Sequence, residues 1–218
     1  MPLLVSNLLL PNKSFKKTKN FFNNLLPYKK NLSKTTRILL YSSSIWYLGE
    51  GMLGPILGVL TQKIGGSILE ISWIWATYLI ATGIFTAFVG KLSDDKFSKE
   101  KLLVAGYALN ALFTFGYLFA SSTSRLLCIQ VGLGIASALA TPTWDALYAK
   151  HNARTNAGYL WGLAAGQTQL TTGFAMIIGG LIINYFSFNV LFITMGMIQV
   201  FATLFQAQIL SKRHKYCD

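Results

Sequence analysis

The chain has 218 residues, of which 53% are hydrophobic and only 12% charged. A soluble domain usually carries about 25% charged residues, so a water-facing surface of this size is excluded and a polytopic membrane protein is expected. The formal net charge of +12 raises nucleic acid as a partner, but the basic residues lie in separate connectors and not on one face. No nucleic acid is expected.

Residues 1–37 form a basic leader with eight Lys/Arg and no acid. Phe15, Phe22, Leu25 and Leu26 would share one helix face beside Lys16, Lys17 and Lys19. That pattern fits an interfacial helix on anionic lipid; a solvated positive tail that only fixes orientation fits it too. The apolar start, Met1 to Leu10, has no basic residue before it and no small-residue cleavage site, so it is not read as a signal peptide.

Six apolar segments follow, at about 38–60, 69–90, 102–120, 126–147, 159–183 and 188–210, each near the roughly 20 residues that span a bilayer core. The expected fold is therefore all-α: a six-helix transmembrane bundle over 38–210, with a short polar tail at 211–218. The leader, the connector holding Lys91, Lys96, Lys99 and Lys101, that holding Lys150 and Arg154, and the tail carry 17 of the 19 basic residues. Lys63 and Arg125 alone fall on the other side. Positive loops stay inside, which predicts a multi-pass protein of the cell (plasma or inner) membrane with both termini cytoplasmic.

Small residues recur within the segments. Gly158, Gly162 and Gly166 line one stripe of the fifth, and Gly132, Gly134, Ala136 and Ala140 crowd the fourth, where a neighbouring backbone can approach. The first segment carries Glu50 and Pro55, and the fourth, running the opposite way, carries Pro142 and Asp145. An acid and a proline in corresponding helices of two opposed triplets predict a three-plus-three inverted repeat.

Glu50 is the sharpest candidate for chemistry. It lies about twelve residues into the first segment, roughly 18 Å deep at about 1.5 Å per residue. A carboxylate facing lipid there costs at least about 2.5 kcal/mol, so it should face the bundle interior or an aqueous cavity. Two readings stay open: a site that takes up a proton and couples it to transport, or a protonated side chain bonded to a neighbouring helix. Trp46 lies one turn earlier on the same face. Gln130 in the fourth segment and Gln167 in the fifth could orient a solute by hydrogen bonds, or bind helix to helix. Trp144 and Trp161 fit an interfacial aromatic belt.

Enzyme readings fare poorly. The two histidines, His151 and His214, lie in connectors, and no Ser–His pair, HExxH or Gly-rich phosphate loop is present. Cys128 and Cys217 fall at different depths and match no metal-ligand spacing. No metal or cofactor is expected.

The connector Gly90-Lys91-Leu92-Ser93-Asp94-Asp95-Lys96-Phe97-Ser98-Lys99-Glu100-Lys101 resembles the loop between the second and third helices of the major facilitator superfamily (MFS). That loop runs Gly, three residues, Asp, basic, any, Gly, then basic residues. From Gly90 the acid falls on Asp94, with Asp95 where a basic residue is expected. Shifted by one, Asp95-Lys96 fits, with Ser98 in place of glycine. Gln130-Val131-Gly132 followed by Pro142 is similar to the family's fourth helix, with Leu127 where the family has a basic residue. Gly179-Gly180 matches the end of the antiporter signature, but Ala175-Met176 replace its Gly-Pro, so antiport is not assigned. The resemblance covers roughly 38–210, the amino-terminal half of such a transporter. It implies secondary transport of a small solute by alternating access, with Asp94 or Asp95, Lys96, Lys99 and Asp145 in a cytoplasmic gating cluster. It also implies a second six-helix half, from another chain or a homodimer. The alternative is a non-transporting half or a regulatory membrane subunit.

Overall fold

In a computed structural model of the chain, residues 32–95, 97–152 and 157–211 are described. They form seven helices: α1 (Lys34–Gly51), α2 (Ile56–Lys63), α3 (Ile68–Asp95), α4 (Lys99–Gly116), α5 (Thr123–Asn152), α6 (Ala157–Tyr185) and α7 (Phe188–Ser211), with a 3-10 turn at Tyr117–Phe119 after α4. No strand occurs among the described residues. An interfacial helix in the leader, Lys96 and the polar tail from residue 212 lie outside the described residues.

Local chemistry explains the helix boundaries. Ser67 and Glu70 form a reciprocal capping box at the start of α3: the Ser67 N–H donates to Glu70 Oε2 at 2.6 Å, and the Glu70 N–H to Ser67 Oγ at 3.3 Å. Ser122 and Ser187 cap α5 and α7 by accepting the N–H of the residue three further on, each at 3.4 Å. Gly65, at φ +85°, turns the chain out of α2 in a conformation that a side chain would strain.

The first apolar segment, expected as one helix, is broken into α1 and α2. Gly51, Gly54 and Pro55 sit together there, and Pro55 has no N–H to donate. Three-residue bonds replace the helical ladder, Leu53 N–H to Glu50 O at 3.3 Å and Ile56 N–H to Leu53 O at 2.9 Å. Glu50 consequently stands at the very end of α1.

Four helical stretches, α3, α4 with its 3-10 turn, α5 and α7, are long and apolar enough to cross a membrane. In α6 the polar run Gln167-Thr168-Gln169 with Thr171-Thr172 lowers the apolarity. Helices suit this setting because their backbone groups bond internally where lipid offers no partner. The outer faces carry exposed Trp73, Leu79 and Phe88 on α3, Phe174 and Ile177 on α6, and Phe201 and Leu204 on α7.

Helix α5 runs centrally against α3 and α4, and close approach explains its glycines. A Cβ on Gly134 would stand 2.9 Å from Tyr78 O and 2.8 Å from Ala81 Cβ in α3. A Cβ on Gly106 of α4 would stand 2.8 Å from Ala136 O in α5. Leu126, Ile74, Leu191 and Tyr117 fill the core beyond them, with Tyr117 stacked on Phe192 at 5.3 Å between ring centroids.

Side-chain amides hold α1. The Gln199 Nε2–H of α7 donates to Trp46 O at 2.9 Å, and Gln206 of α7 accepts from the Ser42 hydroxyl. Gln167 of α6 donates to Leu40 O at 2.8 Å and also bonds Ser44. At the break, α6 comes in closely: Gly51 faces Ala175 and Thr172, and Gly179 packs on the carbonyl of Met52.

Candidate functional site

The break after α1 sets the site. Glu50, on the last turn of α1, is half-buried and lines two adjoining cavities of about 350 and about 380 Å³. Tyr47, Tyr78, Thr168 and Gln169 line both as well, so the two spaces meet around the Glu50 carboxyl. Trp46, four residues earlier and so on the same helix face, donates its indole N–H to Glu50 Oε2 at 2.7 Å. Tyr78 of α3 approaches the same carboxyl. The single ion pair among the described residues is Lys99–Asp94, so none of their cations pairs with Glu50.

The first cavity is a box of aromatic rings. Trp46 packs on Tyr107 of α4 with ring centroids 4.4 Å apart. Trp144 of α5 stacks on Tyr148 at 4.6 Å and 13°, and Trp161 of α6 stands edge-on to that pair. Hydrogen bonds fix these rings: the Trp144 indole N–H donates to Leu39 O at 3.1 Å, and the Tyr148 hydroxyl to Leu160 O at 2.7 Å. Trp144 and Trp161, expected as interfacial anchors, line this cavity. Ser137, Thr141 and Asp145 recur every fourth residue along α5 and supply its polar wall.

The second cavity lies under the helix break. Leu53, Leu57, Leu133, Met176 and Met195 make it largely apolar, and besides the exposed Gln169 two buried amides line it, Gln130 at 3% exposure and Asn110 at 2%. The Asn110 Nδ2–H₂ group is buried without a protein partner, a state that costs free energy unless something else accepts the bond.

Of the residues singled out in the sequence, Glu50, Trp46 and Asp145 meet in the first cavity, and Glu50 and Gln130 in the second. Gln167 lines neither; its amide ties α6 to α1. Asp94 pairs with Lys99 at 2.6 Å across the α3–α4 turn, and the same ammonium donates to Ser93 O at 3.0 Å. Gly90 has open space where its Cβ would be, Asp95 ends α3, and Lys96 is not among the described residues. Sequence reasoning passed over Tyr47, Tyr78, Tyr107, Asn110, Thr168 and Gln169. The available signal was a polar tip in mid-helix: a buried Tyr hydroxyl or Asn amide needs a partner.

The family model of the Major Facilitator Superfamily matches residues 39–214, and the chain belongs to that superfamily of membrane transporters. It is 26% identical over 173 residues to an uncharacterized MFS-type transporter of Methanocaldococcus jannaschii. That match takes in 79% of this chain and 45% of the relative, so the chain spans about half the length of that curated relative.

Proposed function

We propose that the chain is one half of a secondary transporter that moves a small solute by alternating access, with Glu50 as the site that takes up a proton. The observation that carries this reading is a carboxyl at the junction of two cavities, bonded to Trp46 and without a cation among the described residues. In this reading residues 38–210 form a six-helix bundle with a three-plus-three inverted repeat. The basic leader and tail place both termini on the cytoplasmic side of the cell membrane. The Asp94–Lys99 pair, with Asp95, Lys96 and Asp145, serves the cytoplasmic gate.

A second six-helix bundle completes the pathway. Two features support this: the 45% coverage of the relative, and the open stripe of Gly158, Gly162 and Gly166 on α6, where an added Cβ meets nothing within 4 Å. Particle mass in nanodiscs tests the assembly. A dimer or a stoichiometric complex is expected; a persistent monomer without transport favours a regulatory half instead. In proteoliposomes containing the assembled protein, Glu50→Gln should abolish accumulation driven by a pH gradient, while solute exchange persists at raised solute concentration. Accumulation undiminished in Glu50→Gln rules out the proton role.

A further inference from the structure

We infer that the paired cavities at Glu50 bind an organic cation, with its charged head in the aromatic box and its apolar body under the helix break. The inference rests on the reading of these cavities as the solute site and names the class of solute.

Charge comes first. The chain carries a net +12, yet among the described residues no lysine, arginine or histidine lines either cavity. Among the described residues the carboxyls lining the first cavity are Glu50 and Asp145, and Glu50 is the carboxyl lining the second. An anionic solute would meet these carboxyls with no counter-charge among the described residues, and like charges at such short range repel. A cation would find an acceptor in Glu50, whose Oε2 is held in place by the Trp46 indole N–H.

The rings make the second argument. Trp46, Tyr47, Tyr78, Tyr107, Trp144 and Trp161 surround a space of about 350 Å³. Aromatic faces attract cations, tryptophan most of all and quaternary ammonium groups in particular. Here the rings are already fixed by the Trp46–Tyr107 and Trp144–Tyr148 contacts and by the Trp144 bond to Leu39 O. Little side-chain freedom remains to be lost on binding, which favours affinity.

The second cavity describes the rest of the solute. Its wall is mostly leucine and methionine, and methionine adapts to irregular apolar shapes. Asn110 Nδ2, at 2% exposure, is the buried donor without a protein acceptor at this cavity. A solute with one hydrogen-bond acceptor on its apolar body would satisfy it.

The test uses the full chain in nanodiscs, with radiolabelled benzyltrimethylammonium as the bound probe. Competitors are choline, its neutral isostere 3,3-dimethylbutan-1-ol, and the anion benzenesulfonate. Choline should displace the label at about a tenth of the concentration of the neutral isostere, and benzenesulfonate should not displace it. Glu50→Gln should weaken the label about tenfold, and Ala165→Trp, at an exposed lining position, should block it. Equal displacement by choline and its isostere, or displacement by benzenesulfonate, overturns the cationic class. If a radiolabelled neutral solute binds in its place and Ala165→Trp blocks it, the solute site stands without that class. Binding of the label undiminished by Ala165→Trp, or no binding of any probe, overturns the site along with the class.

Discussion

Helices α5 and α6 carry the same signal in sequence and meet opposite fates. Both have small residues at close-packing spacing. On α5 the glycines are spoken for: Gly134 takes the backbone of α3 at Tyr78, and Gly132 takes the ring of Phe113. On α6 only Gly179, against the Met52 carbonyl, is occupied, while Gly158, Gly162 and Gly166 face open space. A glycine stripe thus says that a backbone can approach; it does not say that the approaching helix belongs to the same chain. One helix is the inner post of this bundle. The other is half inner wall, half unused face.

The largest effect should come from breaking the first half of that contrast. Gly134→Leu forces a side chain into the backbone of α3, and overpacking of this kind costs about 3 kcal/mol or more where neither helix can move. The matching change on α6, Gly162→Leu, meets nothing within this chain and should alter its stability by less than about 0.5 kcal/mol. Unfolding of the isolated chain in detergent measures both. A Gly162→Leu chain as unstable as Gly134→Leu would mean that the α6 stripe is packed after all. Association with a second bundle, read by particle mass, should fail in Gly162→Leu alone of the two folded proteins.

The contrast also explains what was legible beforehand. Helix positions were, because long apolar runs bounded by Ser67, Ser122 and Ser187 leave little choice. The break at Pro55 was not foreseen as an interruption, although Gly51, Gly54 and Pro55 together remove both helix propensity and one donor. Rotational phase was least legible. In helices apolar on nearly every side, no moment marks the inner face, so Gln167 was singled out while its neighbours Thr168 and Gln169 line the cavities. Tyr78 and Tyr107 were overlooked for a related reason: tyrosine in a membrane segment suggests an interfacial belt, and only depth and neighbours reveal a cavity wall.

A smaller effect would sharpen the comparison at α1, which is tied to its neighbours by amides where α5 is packed by backbone contact. Gln199 donates to Trp46 O while its own Oε1 is buried without a partner. Gln199→Met keeps the volume and removes the bond, and interhelical hydrogen bonds in membranes average about 0.6 kcal/mol. The loss in stability should be near that figure, far below that of Gly134→Leu. The same change frees the Trp46 backbone, so the indole that orients Glu50 loses support, and binding in the first cavity should weaken more than stability does. Proportionate losses in binding and stability would mean that the amide only holds helices together.

The smallest effect should lie at the α3–α4 turn. The Asp94 side chain is 74% exposed in its pair with Lys99, and exposed pairs contribute about 0.2–1 kcal/mol, screened by salt. Asp94→Asn should therefore leave the stability of the isolated chain nearly unchanged, and raising the salt concentration should erase what difference there is. Transport by the assembled protein is a separate readout, because a gate acts through the balance of two conformations. If the turn serves as a gate, Asp94→Asn should shift transport rate at constant stability, and Lys99→Met should shift it in the same direction by removing the other partner. If both variants transport as the unmodified protein does, the turn only connects α3 to α4. The rigid post at α5 and the open face of α6 would then be left to carry the motion without a latch between them.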